Sequence, residues 1–182
     1  MRSHTLTLLA LGGELLLTIL ALVWMSIQGL AFQLGPDGWL ANIAFGLVFA
    51  VLFALANYAL LRWAPDVWGV RSIRQLYCTT LRPLFAEVGP CDVVIIAVAA
   101  GIGEELLFRG ALQLEVGLVP ASLIFGLLHT GARGTFAFGC WVAVMGAALG
   151  GLSIVTDGLL APIVAHAAYD AAAIWYLRWG SA

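Results

Sequence analysis

The sequence predicts an all-α polytopic membrane protein: a bundle of about six transmembrane helices with a short cytoplasmic interfacial helix. Composition carries the first part of this reading. The 182 residues are 63% hydrophobic and only 10% charged, against about 25% charged in an ordinary soluble domain, and mean hydropathy is +1.03. Patterning carries the rest, because apolar segments long enough for helices alternate with turn-forming residues along the chain. Helices are the expected element because they satisfy their own backbone in lipid. A net charge of −2 and a pI near 5.8 give no reason to expect nucleic acid as a partner; the expected surroundings are a lipid bilayer.

Taken in order, the first segment covers about 14–32. It follows Arg2 with no convincing small-residue cleavage site after it, so it reads as a retained helix. The second covers about 40–61 and the third about 92–114. A short fourth covers about 118–130, the fifth about 135–155 and the sixth about 159–179. Gly35-Pro36-Asp37-Gly38, Gly89-Pro90, the turn at 131–134 and Asp157-Gly158 separate them. Trp39 and Trp63 bracket the second segment and Trp175 and Trp179 close the last, as interfacial anchors do. The whole chain, 1–182, reads as a single transmembrane domain. Residues 1–90 supply two N-terminal helices plus an amphipathic loop, and 91–182 form the motif-bearing core.

Arginines set the expected orientation. Arg2, the group Arg62, Arg71, Arg74 and Arg82, then Arg133 and Arg178 all fall on one side of a six-helix arrangement. The opposite connections hold Asp37, Glu115 and Asp157 and no arginine. By the positive-inside rule both termini are cytoplasmic, in a multi-pass protein of the bacterial inner membrane. Within the arginine-rich loop, Val70, Ile73, Tyr77, Leu81 and Leu84 recur at helical spacing. The spacing predicts a short amphipathic helix on the cytoplasmic leaflet or packed beside the bundle.

Charges inside the apolar segments carry the chemistry. Glu104, Glu105 and Arg109 lie in the third segment, where each charge near mid-membrane costs about 2.5–3.5 kcal/mol on insertion scales. Glu105 and Arg109 are four apart, on one helix face, in the favoured order for an ion pair. Glu104 points about 100° away and needs a partner from another helix. Phe125 and His129 share a face of the fourth segment, and His166 and Asp170 share a face of the sixth. At 1.5 Å per residue, Glu104, His129, His166 and Asp170 fall in one layer near mid-membrane, so the insertion cost is offset in one shared polar cavity. Asp170 could fix the tautomer of His166. No serine, threonine or cysteine lies in that layer as an obvious nucleophile, and Cys78, Cys91 and Cys140 show no metal-ligand spacing. In the fifth segment Gly146 and Gly150 form a GxxxG that serves close helix packing rather than dimerisation, and Ala161, Ala165, Ala168 and Ala172 line the sixth.

The EExxxR of Glu104, Glu105 and Arg109, the FxxxH of Phe125 and His129, and the HxxxN/D of His166 and Asp170, in that order on successive helices, resemble the CAAX-protease and bacteriocin-processing family. This family includes the type II CAAX prenyl endopeptidases, and the resemblance covers about 91–182. It implies an intramembrane glutamic endopeptidase, a hydrolase needing no metal or other cofactor. By the same resemblance Glu104 is the general base that activates water and His129 helps to position it. His166 and Asp170 stabilise the oxyanion, and Glu105 and Arg109 hold the motif helix. Many members carry Asn where this chain has Asp170. An ionised aspartate cannot donate to an oxyanion, so Asp170 is either protonated or orients His166. The implied substrate is a peptide or protein, lipidated or membrane-embedded.

Two rival readings use the same residues. His129, His166, Glu104 and Asp170 could complete a zinc site, although there is no HExxH and Arg109 disfavours a cation nearby. A non-enzymatic bacteriocin-immunity or solute-binding protein could also house a polar cavity, but no internal repeat of the transporter kind is present.

Overall fold

The computed structural model describes residues 3–36, 38–130 and 135–180. Arg2, Asp37 and the turn at 131–134 with Arg133, used above for orientation and punctuation, lie outside the described residues. Those residues form an all-helical bundle of seven helices. α1 is Ser3–Gln28 and α2 is Trp39–Arg62. α3, residues 68–84, joins Trp68–Leu76 to Arg82–Leu84 through a π turn at Tyr77–Leu81. α4, residues 90–116, joins Pro90–Glu105 to Gln113–Val116 through a second π turn at Leu106–Leu112. α5 is Leu118–Leu128, α6 is Phe136–Val155 and α7 is Leu160–Trp179.

Four of these, His4–Gln28 within α1, Trp39–Arg62, Phe136–Val155 and Leu160–Trp179, are each long and apolar enough to cross a membrane. α4 runs for about 40 Å at 1.5 Å per residue, starting where Pro90 occupies the first turn and Asp92 accepts the backbone N–H of Gly89 at 3.3 Å. α5 is different. Its 11 residues span only about 16 Å, roughly half of a 30 Å hydrocarbon core, so its C-terminal end stops at depth. Apolar side chains such as Leu8, Leu16, Ile27, Val48 and Leu55 point outward, as a lipid-facing surface requires.

One boundary differs from the sequence reading. α1 begins at Ser3, eleven residues before Glu14, because a single carboxyl does not end a helix that can turn it towards a partner. Glu14 therefore lies about 16 Å into α1, well inside the apolar span.

α7 is the central element, packed against α2 on one side and α4 on the other, while α5 pairs with α6 and α1 lies along α4. Small residues permit these approaches. A Cβ on Gly46 would stand 2.6 Å from the Ala161 carbonyl, and one on Gly101 would stand 2.9 Å from the Ala167 methyl. The GxxxG of α6 is filled from within the chain: Arg109 Nη2 donates to the Gly146 carbonyl at 3.0 Å and Gln113 Nε2 to that of Gly150 at 3.1 Å.

The apolar stripe of α3 faces the bundle. Ile73 and Tyr77 are buried against Ala137 and Leu177, flanked by Leu60, Leu61 and Phe138. Its arginines meet helix ends. Arg74 donates to the carbonyls of Leu61 at 2.8 Å and Ala64 at 2.7 Å, and Arg82 to that of Gly180. They thereby satisfy carbonyls that the ends of α2 and α7 leave without intrahelical donors.

Candidate active site

The paired glutamates are the last two residues of the regular part of α4, and the π turn that follows from Leu106 is a feature that recurs at functional sites in helices. Glu105 is fully buried. Its Oε1 accepts from Arg109 Nη1 at 2.9 Å and from His166 Nδ1 at 2.7 Å. Arg109 is itself buried, donates onward to Gly146, and lies with its guanidinium carbon 4.6 Å from the Phe125 ring centroid. The expected Glu105–Arg109 pair is present, and it also grips a histidine 61 residues away on α7.

This contact sets the histidine. A carboxylate paired with Arg109 can only accept, so Nδ1 of His166 carries a proton. The opposite nitrogen, Nε2, points to Glu104 Oε2 at 3.8 Å and Asp170 Oδ2 at 3.5 Å. Glu104, Glu105, His166 and Asp170 thus meet at one imidazole. Burial is graded: the side chains of Glu105 and His166 are almost closed off, Glu104 is 15% exposed and Asp170 28% exposed. The two carboxyls facing Nε2 are the accessible side of the cluster.

His129 caps α5 at depth, with Nδ1 2.8 Å from the Phe125 carbonyl. Phe125 links it to the rest. Its ring centroid lies 4.8 Å from that of His129, 6.1 Å from that of His166 and 4.8 Å from that of Phe108. Close packing keeps this ring in place, since a Cβ on Gly146 would stand 3.0 Å from Phe125 Cδ1. His129 interacts electrostatically with His166, Asp170 and Arg109.

One member was missed by sequence reasoning. Glu14 of α1 reaches α4 beside the paired glutamates, where its Oε2 would be 2.7 Å from a Cβ on Gly103. It interacts electrostatically with Glu104, His166 and Asp170. The available signal was its isolation: no other acid occurs in α1, and an acid in mid-span needs a polar partner. No group of three or more His, Cys, Asp and Glu side chains among the described residues is arranged to hold a metal ion.

Fold and site together define a polytopic helical membrane protein with carboxyl and imidazole groups gathered among its spans. Residues 87–172 match the family described as type II CAAX prenyl endopeptidase Rce1-like. The uncharacterized protein YpbD of Bacillus subtilis (strain 168) is 28% identical over 141 residues, covering 75% of this chain and 69% of its own length. No solved structure matches. Over residues 87–172 the chain is therefore similar to a family of CAAX-type membrane proteases. The matched segment holds all three motifs and leaves Glu14 outside it.

Proposed function

We propose that the protein is an intramembrane endopeptidase that hydrolyses a peptide bond with water activated by Glu104. The observation that supports this best is the division of labour around His166. Glu105 and Arg109 fix Nδ1, which leaves Nε2 directed at Glu104 and Asp170 on the accessible side. A general base and an oxyanion donor need to flank one scissile carbonyl, and this pairing supplies both groups.

In this reading Glu104 takes a proton from water as its oxygen bonds to the carbonyl carbon, with His129 helping to position that water. His166 Nε2–H and Asp170 stabilise the tetrahedral oxyanion. The C–N bond then breaks and the amine leaves with the proton. Low dielectric among the helices strengthens each of these interactions. No step passes through a metal. The substrate is a peptide or protein, lipidated or membrane-embedded, approaching laterally or from the cytoplasmic side. The family's prenyl endopeptidases make a prenylated C-terminus one candidate. Both termini are assigned to the cytoplasm of a bacterial cell on the arginine distribution.

The test compares peptide termini in membranes from cells expressing wild type or Glu104→Gln at equal levels. New termini found only with wild type are expected. Equal termini from a folded variant would transfer the reading to a binding or immunity role.

A further inference from the structure

Charge accounting around Glu104 is uneven. From α4 it meets Glu105 and Arg109, from α7 His166 and Asp170, and from α1 Glu14, while His129 of α5 interacts with Arg109, His166 and Asp170. Arg109 is committed to Glu105. His166 touches Glu105, Glu104 and Asp170 together. Even with His166 and His129 both protonated, four carboxyls face three cations in a medium where like charges cannot all remain ionised. Protons must stay on the cluster.

Geometry indicates where. Glu14 Oε2 and Glu104 Oε2 are both buried, and neither has a hydrogen-bond partner among the described residues. Gly103, next to Glu104, lacks the side chain that would separate α1 from this point: a Cβ there would stand 2.7 Å from Glu14 Oε2 and 2.8 Å from the Glu14 carbonyl. Thr18 holds that turn of α1 by donating to the same carbonyl at 2.8 Å.

We propose that Glu14 is a positioning residue of the active site that shares one proton with Glu104. The inference rests on Glu104 being the base. As water attacks, its proton enters the Glu14–Glu104 pair, and as the C–N bond breaks the pair returns one proton to the amine. The pair is unchanged over a turnover, and water and peptide bond become acid and amine. The two carboxyls then hold the base and its proton store, which leaves His129 to position the water.

Infrared spectra of the purified protein test this without a substrate. The carboxylic-acid C=O band that disappears in Glu14→Gln should be the same band that disappears in Glu104→Gln, because removing either partner leaves the other ionised. Two separate bands, one lost in each variant, or no band lost in either, would overturn the sharing. Wild type gives a second measurement that needs no variant to fold. Dicyclohexylcarbodiimide, which attacks protonated carboxyls in membranes, should modify Glu14 or Glu104 on a given molecule, and doubly modified protein would overturn the proposal. Termini produced by Glu14→Gln complete the test, with an expected fall of at least tenfold. Full activity in Glu14→Gln beside an inactive Glu104→Gln would sink this inference alone, while an active Glu104→Gln would sink the assignment of the base.

Discussion

Glu105 Oε1 and His166 Nδ1 are 2.7 Å apart across the α4–α7 interface. This contact ties the motif helix to the central helix and decides which face of the imidazole is free.

Replacing Glu105 by Ala leaves Arg109 buried and without its carboxylate and frees His166 to rotate. Breaking a buried pair from one side costs about 3–5 kcal/mol. The expected outcome is a marked fall in thermal unfolding temperature in detergent together with loss of cleavage. An unchanged midpoint would mean that the pair contributes nothing to holding the helices.

Asp170→Asn separates the two roles open to Asp170. Because Glu105 already holds Nδ1, Asp170 is not needed to orient the ring, and an amide can donate to an oxyanion as a protonated acid does. Cleavage is expected to remain within about tenfold of wild type, whereas Asp170→Ala should fall by about 10²–10³, the usual cost of one oxyanion donor. Equal losses in the two variants would return Asp170 to an orienting role.

Gly146→Val places new atoms where Phe125 Cδ1 stands 3.0 Å and Arg109 Nη2 3.4 Å from the first added carbon. Overpacking of this kind costs about 1–3 kcal/mol. Thermal denaturation should detect it, and cleavage should fall with it because Phe125 links His129 to the cluster. The mass of the purified protein in detergent should not change, since Arg109 and Gln113 already occupy the GxxxG.

Arg74→Ala removes donors to the carbonyls of Leu61 and Ala64, each such contact contributing about 0.5–1.5 kcal/mol. Faster amide exchange at the C-terminal end of α2 and in α3 is expected, with exchange in the Glu105 turn unaltered.

Much of this arrangement was legible in sequence because lipid forces it to be. A charge in an apolar span must find a partner, so Glu104, Glu105, Arg109, His129, His166 and Asp170 stood out against their neighbours, and helical spacing paired them correctly along each helix. What a face cannot specify is its partner across the bundle. Glu105 was given Arg109 and also takes His166, because the nearest neighbour between helices depends on approach distance, set here by Gly101 against Ala167. Glu14 marked the edge of a segment in the sequence reading, and only the longer α1 brings it to Gly103. The stripe of α3 was equally compatible with lipid and protein, and Ile73 and Tyr77 resolve it towards protein. The π turns left no periodic signal, since their side chains are as apolar as those of a regular helix.

The π turn at Leu106–Leu112 acts on alignment. In a regular helix each step of four residues overshoots a full turn by about 40°, so a column of side chains at that spacing winds away from a straight seam. A wider turn absorbs the overshoot, and Glu105, Arg109 and Gln113 stay in file along the groove cut by Gly146 and Gly150. The motif segment is therefore more tolerant of a changed apolar residue than of a changed length: losing one position between 106 and 112 would close the wide turn and throw the column out of file.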